Sequence, residues 1–459
     1  MNDPFDIAVI GAGVVGCAVA RELSAADLSV VLLEARADIG DGTSKANTAI
    51  LHTGFDATPG TLESRLVARG YRLLGEYAQR TGIAVERTGA VLVAWDAEQL
   101  ATLPQLAEKA AMNGYQETEL VSAEAVYAMV PDLGPGVLGG LTVPGESIID
   151  PWSVTLAYVN EAIARGTELR RDTLVEGVTR DGGITTLSTN RGEISTRWVV
   201  NAAGLGADVV DRLFGHERFT VTPRRGELIV FDKLARPMAN RIILPVPSAR
   251  GKGVLVSPTI FGNVMLGPTS EDLQDRSNTA TSRAGIDTLL EKGRRIMPAL
   301  LEEEVTAMYA GLRAATEHSD YVIDVDTDTG YALLGGIRST GLTSSMAIAE
   351  HLQGLLSDAG LDLNPRPILP DPPQMPNLGE AYPRPHQRPD LIHKDPEYGK
   401  IACFCERVSR GEIRDALDST VPPADMDGLR RRTRAVMGRC QGFFCAAEIE
   451  RLLSEGINS

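Results

Sequence analysis

Two groups of residues in this chain have the types and spacing to do chemistry. Near the N-terminus, Gly11, Gly13 and Gly16 form a G-x-G-x-x-G, and Glu34 follows about 20 residues on. The first glycine permits a tight turn. The second lets a pyrophosphate approach the backbone, and the third lets helix and strand pack closely. Phosphates would sit on the positive end of the following helix, and Glu34 would accept the ribose hydroxyls of an adenosine. Near the C-terminus stand Cys403-x-Cys405 and, 34 residues later, Cys440-x4-Cys445. The fifth cysteine, Cys17, reads as a small buried packing residue. A reducing compartment keeps thiols free, so four clustered cysteines point to a metal site rather than to disulfides. Four thiolates alone suit either tetrahedral zinc or iron–sulfur.

The first group needs a strand, a turn and a helix around it, and the sequence supplies them. Ile7 to Ile10 is a short apolar run suited to a central parallel strand. Val14 to Ala26 has helical periodicity, and Leu28 to Leu33 is a second apolar strand that Glu34 ends. Gly40 to Asp56 is too polar and glycine-rich for a core element and has the composition of a functional loop. Ala49 to Leu51 gives it an apolar anchor directly before His52. From Val85 to Trp95 the period shifts toward two, predicting a strand in another layer. Helices are predicted near Glu98 to Met112, Ser122 to Val130 and Asp150 to Arg165, and strands near Leu169 to Val178 and Thr185 to Thr189. Val199 and Val200 end a buried strand. Asn201-Ala202-Ala203-Gly204 follows as a small-residue turn that lets backbone lie close to a ligand. This second marker, so far along the chain, implies a nucleotide domain interrupted by insertions.

Phe219 to Phe231, Gly253 to Ser257 and Asn263 to Gly267 read as antiparallel strands of a separate sheet. Arg283 to Met297 reads as an amphipathic helix. Tyr331 to Leu352 is a strand, a glycine-rich turn and a helix, which we place beside the first nucleotide turn. Gly341, Leu342 and Thr343 would offer backbone amides at that helix start. Asn364 to Pro396 holds ten prolines, which predicts a surface linker without regular helix or central strand.

At 459 residues the chain has room for two or three domains. A net charge of −16 argues against nonspecific nucleic-acid binding and against a polybasic membrane surface. No apolar run is long enough to span a bilayer, and no basic n-region of a signal peptide is present. The expected location is the cytoplasm, with any membrane link made through a partner.

The ordered set GAGVVG, Glu34, SKANTAILHTGF, NAAGLGAD, GVLVSPTIFGNVMLGPTSED, YAGLRA and GIRSTGLTSS resembles the D-amino-acid-oxidase-type FAD oxidoreductase superfamily. Within it the resemblance points to FAD-dependent glycerol-3-phosphate dehydrogenases, the anaerobic-type large subunit in particular, and to L-2-hydroxyglutarate dehydrogenases. It covers about residues 5 to 355. The tail looks like a bacterioferritin-associated-ferredoxin-like 2Fe–2S domain. The fold this implies is α/β: a FAD-binding Rossmann-type domain (1–84, 145–215 and 319–360) interleaved with an antiparallel-sheet substrate domain (85–144 and 216–318). A proline-rich linker (361–397) and a small C-terminal iron–sulfur domain (398–459) follow.

The resemblance also implies roles. FAD contacts would come from Gly11, Gly13, Val14, Val15, Gly16, Glu34, Ala35, Thr43, Ser44, Asn47 and Val175. Ala202, Ala203, Gly204, Gly336, Gly341, Leu342 and Thr343 would complete them. Cys403, Cys405, Cys440 and Cys445 would hold a 2Fe–2S cluster. Arg430, Arg431, Arg432, Arg434 and Arg439 would offset that cluster's negative charge. His52 is the candidate base, and Arg313 the candidate clamp for an anionic substrate. Arg338 would assist, and Arg224, Arg225 and Lys252 are weaker candidates. The expected function is FAD-dependent oxidation of a small anionic hydroxy substrate, glycerol 3-phosphate or a 2-hydroxy acid. Electrons would then pass through the cluster to an acceptor protein or subunit. Two alternatives stay open: an amine or amino-acid oxidase, and a non-catalytic electron-transfer subunit.

Overall fold

The computed structural model describes residues 3–247 and 253–457; Lys252 lies outside them. Its centre is the strand β1 (Phe5–Ile10), which runs through the glycine turn into the helix α1 (Val14–Leu23). The strand β2 (Val30–Leu33) pairs with β1 in parallel, Ile10 opposite Leu33. On the other side of β1 lies Gly192–Asn201, also parallel, with Ile10 opposite Asn201. Tyr331–Gly335 adds to that strand in turn. Both faces of β1 are covered. Ile7 and Val9 pack with α1 and with the helices Pro151–Ala164 and Gly341–Asp358, while Ala8 and Ile10 pack with Val199, Leu333 and Val210. A strand buried on two faces has no polar side to show, which is why its sequence is a continuous apolar run. Cys17 is fully buried, and its thiol donates to the Ala12 carbonyl at 3.4 Å.

The second sheet has nine strands, and the chain enters it twice. Residues 90–143 supply Ala90–Ala94, Glu119–Ser122 and Gly139–Val143. Residues 222–315 supply the rest, including the long antiparallel pair Thr222–Phe231 and Val305–Ala315. The run from Val85 to Trp95 is not one strand, as its periodicity predicts, but two in different sheets. Val85–Glu86 joins a small three-stranded sheet with Ile50–Leu51 and Ser147–Ile149. The break falls at Gly89, whose φ is +65° and whose N–H donates to the Glu146 carbonyl.

The proline-rich stretch also departs from expectation. It contains a short helix, Pro389–Lys394, with its proline at the first position, where no backbone N–H is needed. The stretch is fastened along its length. Arg366 donates to the Ser24, Ala26 and Leu28 carbonyls, Met375 N–H to Thr81, and Glu380 N–H to Ile260. Leu378 is buried against the body.

The C-terminal unit has its own small core, built on the hairpin Ile401–Cys403 and Val408–Ser409 and on three helices. Of the arginines near its cysteines, Arg431, Arg432 and Arg439 pair with carboxylates of the body, and Arg439 also lies within electrostatic reach of Cys405. Asp38, 3 % exposed, receives Arg432 through both terminal nitrogens (2.7 and 2.8 Å) and Arg431 at 3.0 Å. Arg431 also reaches Asp41, and Lys45 of the body reaches Asp427 of the tail at 2.9 Å. Arg439 pairs with Asp232. Arg434 lies over the Phe261 ring at 4.4 Å and donates to Asn263, while Arg430 pairs within its own helix with Asp427. A carboxylate taken out of water needs counter-charges close by, and the tail brings them. Asp38→Ala would leave Arg431 and Arg432 without their shared buried partner, at a cost of about 3–5 kcal/mol. The tail should then detach, read as proteolytic cleavage between residues 364 and 397 under conditions where the parent chain resists.

Candidate functional site

A cavity of about 500 Å³ opens between the two sheets. Its nucleotide end is made by Gly11, Gly13, Val14 and Val15 at the start of α1, and by Glu34 and Ala35 after β2. Gly11 has φ +101°, and a Cβ there would sit 2.6 Å from the Ala202 carbonyl oxygen. Gly16 is buried behind the turn and packs on the Gly11 carbonyl, so it shapes the cavity without lining it. Glu34 accepts the Ala12 N–H (2.8 Å) on one carboxylate oxygen and the Arg36 N–H (2.9 Å) on the other. Burial pushes its carboxyl up, and those two N–H groups pull it back. Each oxygen keeps a lone pair for a hydroxyl donor.

The long wall comes from three loops. Thr43, Ser44 and Asn47 line it from the first loop, Val175 and Ala202, Ala203 and Gly204 from the second side, and Gly336, Gly341 and Leu342 from the turn before the last helix. Ser44 Oγ accepts the Val14 N–H at 2.9 Å, so it caps α1 from a distant loop. Thr43 Oγ1 donates to the Leu312 carbonyl, which clips the loop to the second sheet. Thr343 departs from expectation. It is fully buried and absent from the wall, and its Oγ1 accepts the His52 N–H at 3.0 Å.

His52 itself is not part of the cavity wall, although its anchor Thr343 is the neighbour of the lining residue Leu342. Its Nδ1 lies 3.0 Å from Glu146 Oε2. Glu146 is fully buried. Sequence reasoning passes over it, yet a signal is there: it is the one charged residue between Asp132 and Asp150.

At the far end the wall includes Gly226, Pro268, Arg313 and Arg338. Arg313 Nη2 donates to the Thr269 carbonyl at 2.8 Å. Burial above all, then the nearby Arg224, holds its guanidinium below the ordinary value, with Asp272 acting the other way. Arg338 is already engaged by Glu63 at 3.0 Å and by the Ser319 carbonyl, so it braces the turn rather than offering a free charge. Arg224 and Arg225 are held by Asp272 and Glu271, side by side on the sheet edge.

In the tail, the four thiols meet in two pairs, Cys403 with Cys445 and Cys405 with Cys440. Among the described residues no three His, Cys, Asp or Glu side chains converge on a single-ion site. A two-iron cluster takes two thiolates on each iron, so paired thiols suit it. Burial and the neighbouring Cys403 push the Cys445 thiol up to about 12. Cys440, against its own burial, is held below the ordinary value by the backbone N–H groups of Phe444, Gly442 and Phe443 together with Cys405.

Residues 6–355 match the family described as FAD dependent oxidoreductase. The chain belongs to that family. Residues 401–455 match the BFD-like [2Fe-2S] binding domain. A glycerol 3-phosphate dehydrogenase of Caloramator mitchellensis is 35% identical over 455 residues, 98% of this chain and 94% of the relative. An anaerobic glycerol-3-phosphate dehydrogenase subunit of Escherichia coli strain K12 is 25% identical over 98% of this chain and 88% of its own. The solved structure of dithionite-reduced L-alpha-glycerophosphate oxidase from Mycoplasma pneumoniae, with FAD bound, is similar with a TM-score of 0.77 at 28% identity. That match covers 82% of this chain and 99% of the oxidase.

As a FAD-dependent oxidoreductase with a BFD-like domain, the chain takes FAD and a 2Fe–2S cluster as its cofactors; the cavity would hold the first and the four cysteines the second. The walls fit FAD: backbone and small residues at the glycine turn, the half-buried carboxylate of Glu34 beyond β2, and a guanidinium at the other end. A Cβ on Gly13 would stand 3.1 Å from Ser44 Oγ, and a branched side chain would reach into the pyrophosphate path and displace the Ser44 cap. Gly13→Val should therefore purify colourless. Full yellow FAD occupancy in that variant would overturn the turn's role.

Proposed function

We propose that this enzyme oxidises the secondary alcohol of glycerol 3-phosphate to a ketone and passes the electrons through the iron–sulfur centre to an acceptor protein. The observation that carries the substrate class is Arg313. Among the described residues four arginines line the cavity. Arg36 is paired with Asp41, Arg276 with Asp208 and Arg338 with Glu63. Among the described residues Arg313 has no carboxylate within salt-bridge distance. A half-buried cation without a counter-ion favours an anion, and its fork suits a phosphate. The named activities of the Caloramator and Mycoplasma relatives support phosphate over carboxylate.

FAD, when bound, supplies the hydride acceptor. The chain's own residues do the rest. Arg313 holds the phosphate and so fixes the substrate carbon at one place in the cavity. His52 accepts the hydroxyl proton at Nε2, the ring nitrogen that does not face Glu146. Thr343 keeps the His52 backbone in register with the turn that ends the cavity. Phe404, Phe443 and Phe444, 72%, 85% and 77% exposed, stand beside the ligand cysteines and give an apolar contact face where electrons leave.

A substrate panel with an artificial electron acceptor separates this reading from amine oxidation and from a subunit without turnover. Glycerol 3-phosphate should be oxidised, and glycerol, glycine and L-2-hydroxyglutarate should be poor. Arg313→Ala should lose about 2–5 kcal/mol in kcat/KM for glycerol 3-phosphate, with the flavin spectrum kept; unchanged KM and turnover would rule the clamp out. Cys440→Ser should leave flavin reduction by substrate intact in a stopped-flow trace while slowing reoxidation by the natural acceptor. Loss of the first half-reaction alone would count against electron export.

A further inference from the structure

We propose that Glu146 is a positioning residue that sets which nitrogen of His52 carries the proton. The inference rests on the reading of His52 as the base. Glu146 is fully buried, and among the described residues its only charged partner is His52. One oxygen, Oε1, accepts from both the Thr53 backbone N–H (2.7 Å) and Thr53 Oγ1 (2.8 Å). The other, Oε2, is 3.0 Å from His52 Nδ1. An ionised carboxylate can only accept hydrogen bonds, so the imidazole nitrogen facing it must carry the hydrogen. That leaves the lone pair of a neutral His52 on Nε2, the atom required to take a proton from a substrate hydroxyl. Nε2 has no hydrogen-bond partner among the described residues.

The backbone around Glu146 is held so that this direction cannot drift. The Gly145 N–H donates to the Tyr115 hydroxyl at 2.7 Å, and the Tyr71 hydroxyl donates to the Gly145 carbonyl at 2.8 Å. His52 is pinned from its own side by the bond from its backbone N–H to Thr343. The carboxylate also steadies the imidazolium that forms once the proton has moved, and it does so without taking that proton. No electrons pass through Glu146. The hydroxyl O–H bond breaks, a bond to His52 Nε2 forms, and the substrate hydride goes to FAD.

Glu146→Gln is a sharp test because the shape is almost unchanged and the donor pattern is not. The fixed Thr53 N–H holds the amide oxygen at the Oε1 position. The amide NH₂ then faces Nδ1, which must become an acceptor, and the ring proton moves to Nε2. We expect kcat with glycerol 3-phosphate and an artificial acceptor to fall by about 10²–10⁴-fold. KM, FAD absorbance and the unfolding midpoint should stay near the parent values. Histidine side-chain nitrogen NMR should show the His52 proton moving from Nδ1 to Nε2, with His52→Gln identifying the signal. Glu146→Asp, still an acceptor only, should recover part of the lost kcat. If Glu146→Gln keeps the parent kcat while His52→Gln loses it, or if the His52 proton stays on Nδ1, the positioning role is overturned and the base survives. Parent-like kcat in His52→Gln overturns the base and this inference with it. Equal loss in Glu146→Gln and Glu146→Asp, with FAD or the midpoint also lost, overturns it in favour of a purely structural carboxylate.

Discussion

How closely α1 is drawn onto the turn before it sets the position of the walls at the glycine-turn end of the cavity. A Cβ on Gly16 would lie 1.8 Å from the Gly11 carbonyl oxygen, and one on Gly11 would lie 2.6 Å from the Ala202 carbonyl oxygen. Neither position accepts a side chain without moving backbone. The contact brings the small-residue turn at Asn201–Gly204 against the first turn, and the parallel register of Ile10 with Asn201 holds it there. Asn201 completes the arrangement from inside, donating to the Ala207 carbonyl and to the Tyr331 hydroxyl. The cavity is backbone-lined at this end because there is no room for anything else, and backbone is what a pyrophosphate needs to meet.

The Arg313 end of the cavity follows a different rule. It is built where a loop of the nucleotide half is fastened to the long strand Val305–Ala315 of the other sheet. Thr43 donates to the Leu312 carbonyl, Tyr309 donates to the Asn47 carbonyl, and a Cβ on Gly311 would collide with Ala46. Strand register then decides where Arg313 stands. It is opposite Arg224, which Asp272 already satisfies, so among the described residues Arg313 is left without a carboxylate within salt-bridge distance. Like charge beside it and partial burial both raise the value of an incoming anion.

The tail is held largely by charge; among the described residues, Val421 alone of its fully buried apolar residues joins the main core of the body. Buried ion pairs contribute little net stability over apolar packing of the same shape, but breaking one side of a pair is costly. Such contacts therefore fix a geometry more firmly than they strengthen the fold. Here they fix the cysteine unit against the loop that carries Ser44, Lys45 and Asn47, and against Trp152, which donates to the Lys45 carbonyl and stacks on Phe261 at 5.0 Å. Arg434 covers the same Phe261 ring and reaches back to Glu406, the neighbour of Cys405. The iron–sulfur unit and the FAD loop are thus parts of one packed assembly.

Local order is legible in the amino-acid sequence because it depends on neighbours a few positions apart. The apolar run of β1, the glycine spacing, Glu34 at the end of β2 and the four cysteines all report short-range requirements of backbone and ligand. Lone polar residues in a loop carry no such period. Glu146 meets His52 across 94 positions, and Asp38 meets Arg432 across 394. Whether an arginine is a clamp or a brace depends on which carboxylate can reach it once the sheets have formed. That is why the partners of Arg338 (Glu63), Arg431 and Arg432 (both Asp38) are not readable from the residues around them in sequence. The nucleotide turn and the thiol set are therefore readable before any fold is known, since each is a spacing along the chain, although the thiol spacing leaves zinc and iron–sulfur both open. The partners of the buried charges emerge only once the chain has folded, because desolvation acts on whatever is brought together and has no range in sequence.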